Sequence, residues 1–379
     1  MIPFNKPFLT GQETEYIKQA VASGKISGNG IFTQRCQSFF EERYGFKKTL
    51  LTSSGTDALE MAALLLNINP GDEVIVPAYT FVSTANAFVL RGAKVVFADS
   101  SAHHPNLNAN LLESLITPRT KVIVVVHYAG VACDMPQIMA IADKYNLFVV
   151  EDAAHALDSY YIGPDRTKKP LGSLGHLAAF SFHETKNIIA GEGGMLVINE
   201  EQFINRAEII WEKGTNRAAF FRGEMNKYEW VDVGSSFLPS EITAAFLWAQ
   251  LENLDGIQKR RKAIWGIYQD CLKDIAQSGK LQLPFIPESA TNNGFMYYVL
   301  CQNTEQRTNI IRHLGQKNIL AVFHYLALHK SPFFREKHDG RELPYADLYT
   351  DTLLRLPFYY ELRDEEIECI CHQIKQVLA

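Results

Sequence analysis

The run Phe180-Ser181-Phe182-His183-Glu184-Thr185-Lys186-Asn187, followed at once by Gly191-Glu192-Gly193-Gly194, carries residue types suited to covalent chemistry on a carbonyl. A short β-prone stretch, Ala178 to Phe182, leads through a hydroxyl and a lysine to a glycine turn that restarts a strand at Met195-Leu196-Val197-Ile198. That layout sets one amine at the open end of a buried strand, on a loop held from both sides. A lysine half-enclosed by apolar neighbours loses hydration, so its pKa falls toward the range in which the neutral amine attacks a carbonyl. A single lysine on a polar loop is ordinarily a solvated surface group. Lys186 has company. Glu151-Asp152-Ala153-Ala154-His155 closes the apolar run Leu147-Phe148-Val149-Val150, which sets Asp152 at a second strand end, and Ser54-Gly55-Thr56 makes a third such site.

A lysine to hold an aldehyde, an aspartate to pair with a pyridinium nitrogen and a Gly/Ser/Thr turn for a phosphate are the parts of a pyridoxal 5′-phosphate (PLP) site. In this order and spacing, Ser-Gly-Thr at 54–56, Glu-Asp-Ala-Ala at 151–154 and Ser-Phe-His-x-x-Lys-Asn at 181–187 resemble the DegT/DnrJ/EryC1/StrS sugar aminotransferases. The resemblance runs from Met1-Ile2-Pro3-Phe4-Asn5 through Arg355-Leu356-Pro357. Within the family the chain looks most like the dTDP-4-amino-4,6-dideoxygalactose transaminases. Implied are the fold type I of PLP-dependent aminotransferases and a PLP cofactor that passes through its pyridoxamine phosphate (PMP) form. Implied too are a nucleotide-linked keto sugar as acceptor, L-glutamate as donor, and a homodimer with a shared active site.

Roles follow position by position. Lys186 is the residue that holds the cofactor's aldehyde and, once freed, shuttles a proton. Asp152 keeps the pyridine nitrogen protonated, its ordinary alternative being a cap for the next helix. Thr56 and the N–H groups of Gly55 and Thr56 face the phosphate from a helix N-terminus. By resemblance Ser181 is a further phosphate ligand, Phe81 stacks on the cofactor, and His155 lies near its phenolic oxygen, where many members carry Gln. Ser236, in Gly234-Ser235-Ser236-Phe237, stands where many members have an Asn that reaches the phosphate from the neighbouring subunit. For the substrate, His324, Tyr325 and His329 resemble the segment that lines the sugar-nucleotide pocket, with a structural role for the histidines equally open. Arg217 and Arg222 are candidates for the donor's carboxylate or a diphosphate, or simply for a solvated face. A related 3-dehydratase branch carries His in place of the lysine, and Lys186 argues against it. A 3-aminotransferase shares every cofactor residue and stays open; a non-catalytic sensor on the same scaffold has no need of Lys186 and Asp152.

The 379 residues exceed one ordinary domain, so a large and a small one are expected. An apolar content of 47% with 21% charged residues describes a soluble globular chain. A formal net charge of −5 gives no reason to expect nucleic acid as a partner. The six cysteines never form C-x-x-C, and Cys369-Ile370-Cys371-His372 lies in a helical pattern without a second ligand pair, so no metal is expected. No basic segment followed by an apolar one opens the sequence, and apolar runs such as Val122 to Val126 are too short to span a bilayer. No membrane partner is expected, and the expected location is cytoplasmic.

The elements that must position these groups alternate. An arm over residues 1–30 contains a helix from Gln12 to Ser23, and a helix from Thr33 to Tyr44 follows. Strands at Thr49–Thr52, Glu73–Val76, Val95–Phe97, Val122–His127 and Leu147–Val150 are separated by helices at Thr56–Leu66, Ser83–Leu90 and Met135–Tyr145. Their apolar runs are continuous, as in strands buried on both faces, so the pattern predicts an α/β fold with a mostly parallel sheet wrapped by helices. From Pro239 to Ile275 the periodicity predicts one long helix, which places a boundary near 255. Residues 1–255 then form the large cofactor-binding domain, and residues 256–379 a smaller α+β domain with strands at Met296–Cys301 and Ala321–Tyr325 and a helix at Arg307–Gly315.

Overall fold

A computed structural model describes residues 1–378. Its first nine strands are β1 (Lys48–Thr52), β2 (Glu73–Pro77), β3 (Lys94–Ala98), β4 (Thr120–Val126), β5 (Phe148–Asp152), a short hairpin of β6 (Tyr160–Ile162) and β7 (Lys168–Pro170), β8 (Leu177–Ser181) and β9 (Gly194–Ile198). Seven of them form one sheet in the order β1-β9-β8-β5-β4-β2-β3. Only β9 runs against its neighbours, pairing antiparallel with β1 and β8. The fold is α/β, a mostly parallel sheet wrapped by helices.

Both faces of this sheet are covered, which explains the unbroken apolar runs. Val74, Val76, Val122, Val124 and Val150 pack into one core with the helices Gly55–Leu65, Val82–Val89 and Glu201–Trp211. Their sequence neighbours Ile75, Ile123, Val125 and Val149 face the opposite side, against the helix Met135–Tyr145. Successive side chains of a strand point to opposite faces, so a strand covered on both needs apolar residues at every position. Each buried Val or Ile contributes roughly 1.5–3 kcal/mol relative to exposure.

Beyond the sheet come β10 (Tyr298–Leu300), β11 (Val322–Phe323) and β12 (Leu353–Arg355), in an antiparallel sheet with β12 at its centre. A separate core from Ile264 onward lies under it, including Tyr268, Val299, Leu354 and Ile370. We propose the division near residue 255 on this segregation of cores. The two units share contacts all the same, for Phe295, Tyr298 and Tyr349 pack into the first core.

The long helix expected from Pro239 onward is two helices, Glu241–Glu252 and Leu254–Gln277. Asn253 separates them with φ −104° and ψ 9°. Its side-chain Nδ2 donates to the carbonyl of Ala249 at 3.0 Å, while its own N–H turns to Gln250 at 3.1 Å. The amide thus takes the acceptor that the backbone of a continuing helix would use.

The arm is tied to the first of these helices. The buried carboxylate of Glu241 accepts from the N–H groups of Gly30 (2.9 Å), Phe32 (2.8 Å) and Thr33 (3.1 Å), capping the helix Ile31–Tyr44. A Cβ at Gly30 would lie 2.5 Å from Cδ of Glu241. The glycines of this turn therefore serve a close approach to protein, with Gly28 set against Leu238 and Pro239. At its other end the arm reaches the second unit, where Ile2 bridges to Ile319 and the N–H of Phe358 donates to the carbonyl of Phe4.

Candidate active site

A cavity of about 530 Å³ opens at the carboxyl ends of β5 and β8. Its wall brings together Gly55, Thr56, Phe81, Asp152, His155, Ser181, Lys186, His324 and Tyr325, all singled out from the sequence. Ser54, Ser83, His183, Glu192, Phe295 and Arg355 join them.

Lys186 lies on the connection from β8 to β9, which is folded tightly on itself. Phe182 N–H donates to Gly193, Ala190 N–H to Phe182 and Lys186 N–H to His183. The neighbouring Asn187 anchors this loop to the long helix through Gln258 at 2.9 Å. Lys186 Nζ sits 5.3 Å from the centre of the Phe295 ring. Burial pulls its pKa from 10.5 down to about 8; the charge of Asp152 opposes that shift and Arg355 adds to it.

Asp152 is the last residue of β5, and burial raises its pKa. Thr84 Oγ1 donates to Oδ2 at 2.7 Å, and Ala154 N–H to Oδ1 at 3.2 Å. Because the hydroxyl proton of Thr84 goes to Asp152, the 2.8 Å bond between Thr80 and Thr84 is donated by Thr80. This directed chain of hydroxyls favours the carboxylate over the acid. Just before it in sequence, the buried Glu151 accepts from Gly172 and Leu174 N–H at 2.8 Å and pairs with His127 at 2.8 Å, which stiffens the end of β5.

The turn at 54–56 opens an 11-residue helix, with the Ser54 hydroxyl accepting from Asp57 N–H at 3.0 Å. A Cβ on Gly55 would meet Ser181 Cβ at 2.9 Å, and one on Gly194 would lie 2.4 Å from Gly55 N. Only glycines let the turn, β8 and β9 converge this closely. The hydroxyls of Thr56 and Ser83 are 2.8 Å apart at the same rim, where Phe81 is 54% exposed and its ring lies tilted against that of Tyr325, centres 6.1 Å apart.

His155 stacks on Phe295 with ring centres 4.1 Å apart. Its Nδ1 accepts from Ala129 N–H at 3.3 Å, so the proton of the neutral ring resides on Nε2. Burial, then Lys186 and His324, hold its pKa well below the ordinary value, which keeps the ring neutral. His324 is likewise kept neutral by burial, with Arg355 and Lys186 adding to the effect, and its Nδ1 lies 2.9 Å from the hydroxyl of Tyr128.

Four expected residues are not in this cavity. His329 is buried in a separate depression beside Lys330 and His338, with Nε2 3.4 Å from Asp347. Arg217 lies 3.6 Å from Glu212, and Arg222 pairs with Glu208 at 2.8 Å and Glu224 at 2.7 Å. Ser236 is exposed, and its backbone bridges to Glu212. Ser54 stood in the Ser-Gly-Thr turn read from the sequence, while Ser83 and Thr84 were given no role there. Arg355 stood in the Arg-Leu-Pro that closes the resemblance, but the three-residue strand that carries it was not foreseen. Among the described residues there is no cluster able to hold a metal ion and no helix long and apolar enough to cross a membrane.

Residues 7–375 match the model of the DegT/DnrJ/EryC1/StrS aminotransferase family. The chain belongs to that family. It is 33% identical over 376 residues to GDP-perosamine synthase of Escherichia coli O157:H7, covering 99% of this chain and 98% of that protein. It is 32% identical over 388 residues to the spore coat polysaccharide biosynthesis protein SpsC of Bacillus subtilis (strain 168), covering 100% and 97%. Among solved structures, the PMP form of Spr1654 from Streptococcus pneumoniae superposes with a TM-score of 0.90 at 27% identity, covering 100% of this chain and 99% of that one. The enzyme is a PLP-dependent sugar aminotransferase.

The residues present fit that cofactor. The glycine-lined turn with its hydroxyls suits a phosphate, the directed carboxylate of Asp152 suits a protonated ring nitrogen, and Nε2–H of His155 suits a phenolate oxygen. When bound, PLP supplies an aldehyde that takes up an amino group and a ring that accepts electron density from the carbon being deprotonated. The chain supplies the rest. Lys186 presents an amine with a lowered proton affinity, able to release and recover a proton at Nζ. Asp152 holds a negative charge in a water-poor site, where it acts far more strongly than in water.

Proposed function

We propose that this family member transfers the amino group of L-glutamate to C4 of dTDP-4-keto-6-deoxy-D-glucose, giving dTDP-4-amino-4,6-dideoxy-D-galactose and 2-oxoglutarate. The transfer chemistry rests on Lys186, its proton affinity lowered, in one cavity with Asp152. The choice of sugar rests on the resemblance from the arm through Arg355-Leu356-Pro357. Because Lys186 reaches its substrate from one side only, the orientation of the sugar fixes the configuration at the new C–N bond.

A panel of dTDP-, UDP- and GDP-linked keto sugars tests the reading, the last because one relative is a GDP-perosamine synthase. Proton NMR of the product should show a small H3–H4 coupling, since an axial amine leaves H4 equatorial. A large diaxial coupling means the gluco isomer, and nitrogen at C3 means a 3-aminotransferase; either overturns the assignment.

We propose further that the working form is a cytoplasmic homodimer with the site shared, Ser236 reaching the partner's phosphate position. The exposed Ser236 and the exposed large apolar side chains of the preceding segment, Phe221 (71% exposed) and Trp230 (81%), support an interface there. Sedimentation at assay concentration should give a dimer; an active monomer would contradict it.

A further inference from the structure

Phe295 lines the cavity beside Lys186 and comes from the second unit. Its buried ring has its centre 5.3 Å from Nζ and lies stacked on His155. Lys186 itself is half-buried, so what covers Nζ decides how much water reaches it. The segment that presents the ring is fastened on several sides. Asn293, fully buried, donates from Nδ2 to the carbonyls of His155 (2.8 Å) and Leu157 (2.9 Å), and its Oδ1 accepts from Phe295 N–H at 3.0 Å. Gly294, with φ +62°, lies so close to the helix Leu254–Gln277 that a Cβ would meet the carbonyl carbon of Arg261 at 2.8 Å. From that helix the buried Arg261 directs Nε to the carbonyl of Gly294 (3.0 Å) and Nη2 to that of Phe295 (2.7 Å). A buried guanidinium is costly to hold, and these hydrogen bonds go to the backbone that carries the ring. The same helix holds the lysine loop, for Gln258 accepts from Asn187 at 2.9 Å. Residues three apart on a helix share a face, so Gln258 and Arg261 set the spacing of loop and ring from one turn.

We propose that Phe295 is a positioning residue for the transfer reaction: held by Arg261, its ring shuts water away from one side of Lys186 Nζ. A dry amine loses more as an ammonium than as a neutral group, so the ring keeps the lysine ready to give up its proton. The face of an aromatic ring also attracts an ammonium, which works the other way. At 5.3 Å that attraction is close to its outer limit of about 6 Å, and the lost hydration wins. Burial is the main cause of the lowered proton affinity of Lys186; Asp152 opposes it and Arg355 adds to it. Burial also keeps His155 and His324 neutral and Tyr325 un-ionised, while His183 and Glu192 line the cavity from the lysine's own connection. An exchange at Phe295 alters none of these groups. Because the ring belongs to the second unit, the reactivity of a lysine on the first depends on how the two are docked.

The inference rests on Lys186 being the reactive amine but not on the sugar or the donor. Trace labelling of the full-length apo-protein with acetic anhydride, read by mass spectrometry on the peptide that carries Lys186, follows the protonation of that amine against pH. It needs neither cofactor nor substrate, whereas the role of Lys186 is tested by turnover, so the two readings fail separately. Labelling of the wild type should be half-maximal near pH 8. Phe295→Ala should move that midpoint up by about one pH unit, toward the ordinary 10.5. Phe295→Leu, apolar but without a ring face, should hold it within about 0.3 of the wild type. Where the alanine variant does not fold, Phe295→Gln, polar and nearly as long, admits water in its place. Arg261→Gln should move the midpoint the same way and add nothing once Phe295→Ala is present. A midpoint that Phe295→Ala leaves unmoved or lowers overturns the proposal, and so does one that Phe295→Leu raises as far as Phe295→Ala. An effect of Arg261→Gln that adds in full to that of Phe295→Ala overturns the part given to Arg261.

Discussion

Lys186→Ala is expected to lower turnover by at least about 10⁴-fold while the protein stays folded. The loop around the lysine is held by backbone bonds and by Asn187, not by the amine, so removing Nζ leaves its supports in place. On the assignment proposed for Lys186, what disappears is the nucleophile and the proton carrier together. Absorbance should show no covalently attached PLP, and circular dichroism should match the wild type. The same residue sets a pH dependence. The amine is neutral above its pKa of about 8 instead of the ordinary 10.5. Capture of PLP by the wild-type apo-protein should therefore rise with pH and be half-maximal near 8. More than a trace of activity in the variant, or a midpoint close to 10, would remove Lys186 from its role.

Asp152→Asn should raise the reaction barrier by about 3–5 kcal/mol, which is roughly 10²–10⁴-fold in kcat. Asparagine keeps the shape: its one oxygen can accept from Ala154 N–H while Nδ2, in the place of Oδ2, donates to a turned Thr84 hydroxyl, so the loss is chiefly that of the charge. Burial opposes ionisation of Asp152, and the Thr84 hydroxyl, the Ala154 N–H and Lys186 counter it. Remove the charge, and the other carboxylate lining the cavity, Glu192, stands on the β8–β9 connection rather than at the end of β5. The nitrogen-15 shift of isotopically labelled cofactor should move from protonated to free in the variant. Retention of more than a tenth of wild-type kcat would show that the charge of Asp152 is not needed.

The strand ends were the legible part of the site. Asp152 and Lys186 follow apolar runs, and an apolar run buried on both faces of a sheet is the clearest pattern that a sequence carries. The cradle at 54–56 was legible because glycine beside hydroxyls has few other uses before a helix. Arg355 was not. A charged residue on a three-residue strand has no period, and its half-buried setting is a property of Phe4 and three tyrosines distant in sequence. His329 lies apart from the cavity for the converse reason, since its neighbour Asp347, on a helix not foreseen, pairs with it in another depression. The break at Asn253 escaped because one amide reaching back to Ala249 leaves the apolar spacing of both helices intact.

The central position of β12 has a consequence for synthesis. Neither β10 nor β11 pairs with the other; both wait for Leu353–Arg355, close to the end of the sequence. Until that segment leaves the ribosome, each of these strands has an edge with no partner in the small sheet. At roughly 5–20 residues per second, the gap between the emergence of Lys186 and that of Arg355 is on the order of ten to thirty seconds. Through that interval the turn at 54–56 and Lys186 already exist, and once Tyr298–Leu300 has emerged its bare strand edge invites pairing with other nascent chains. A chain stalled in that window has Lys186 but lacks the strand that completes the small sheet.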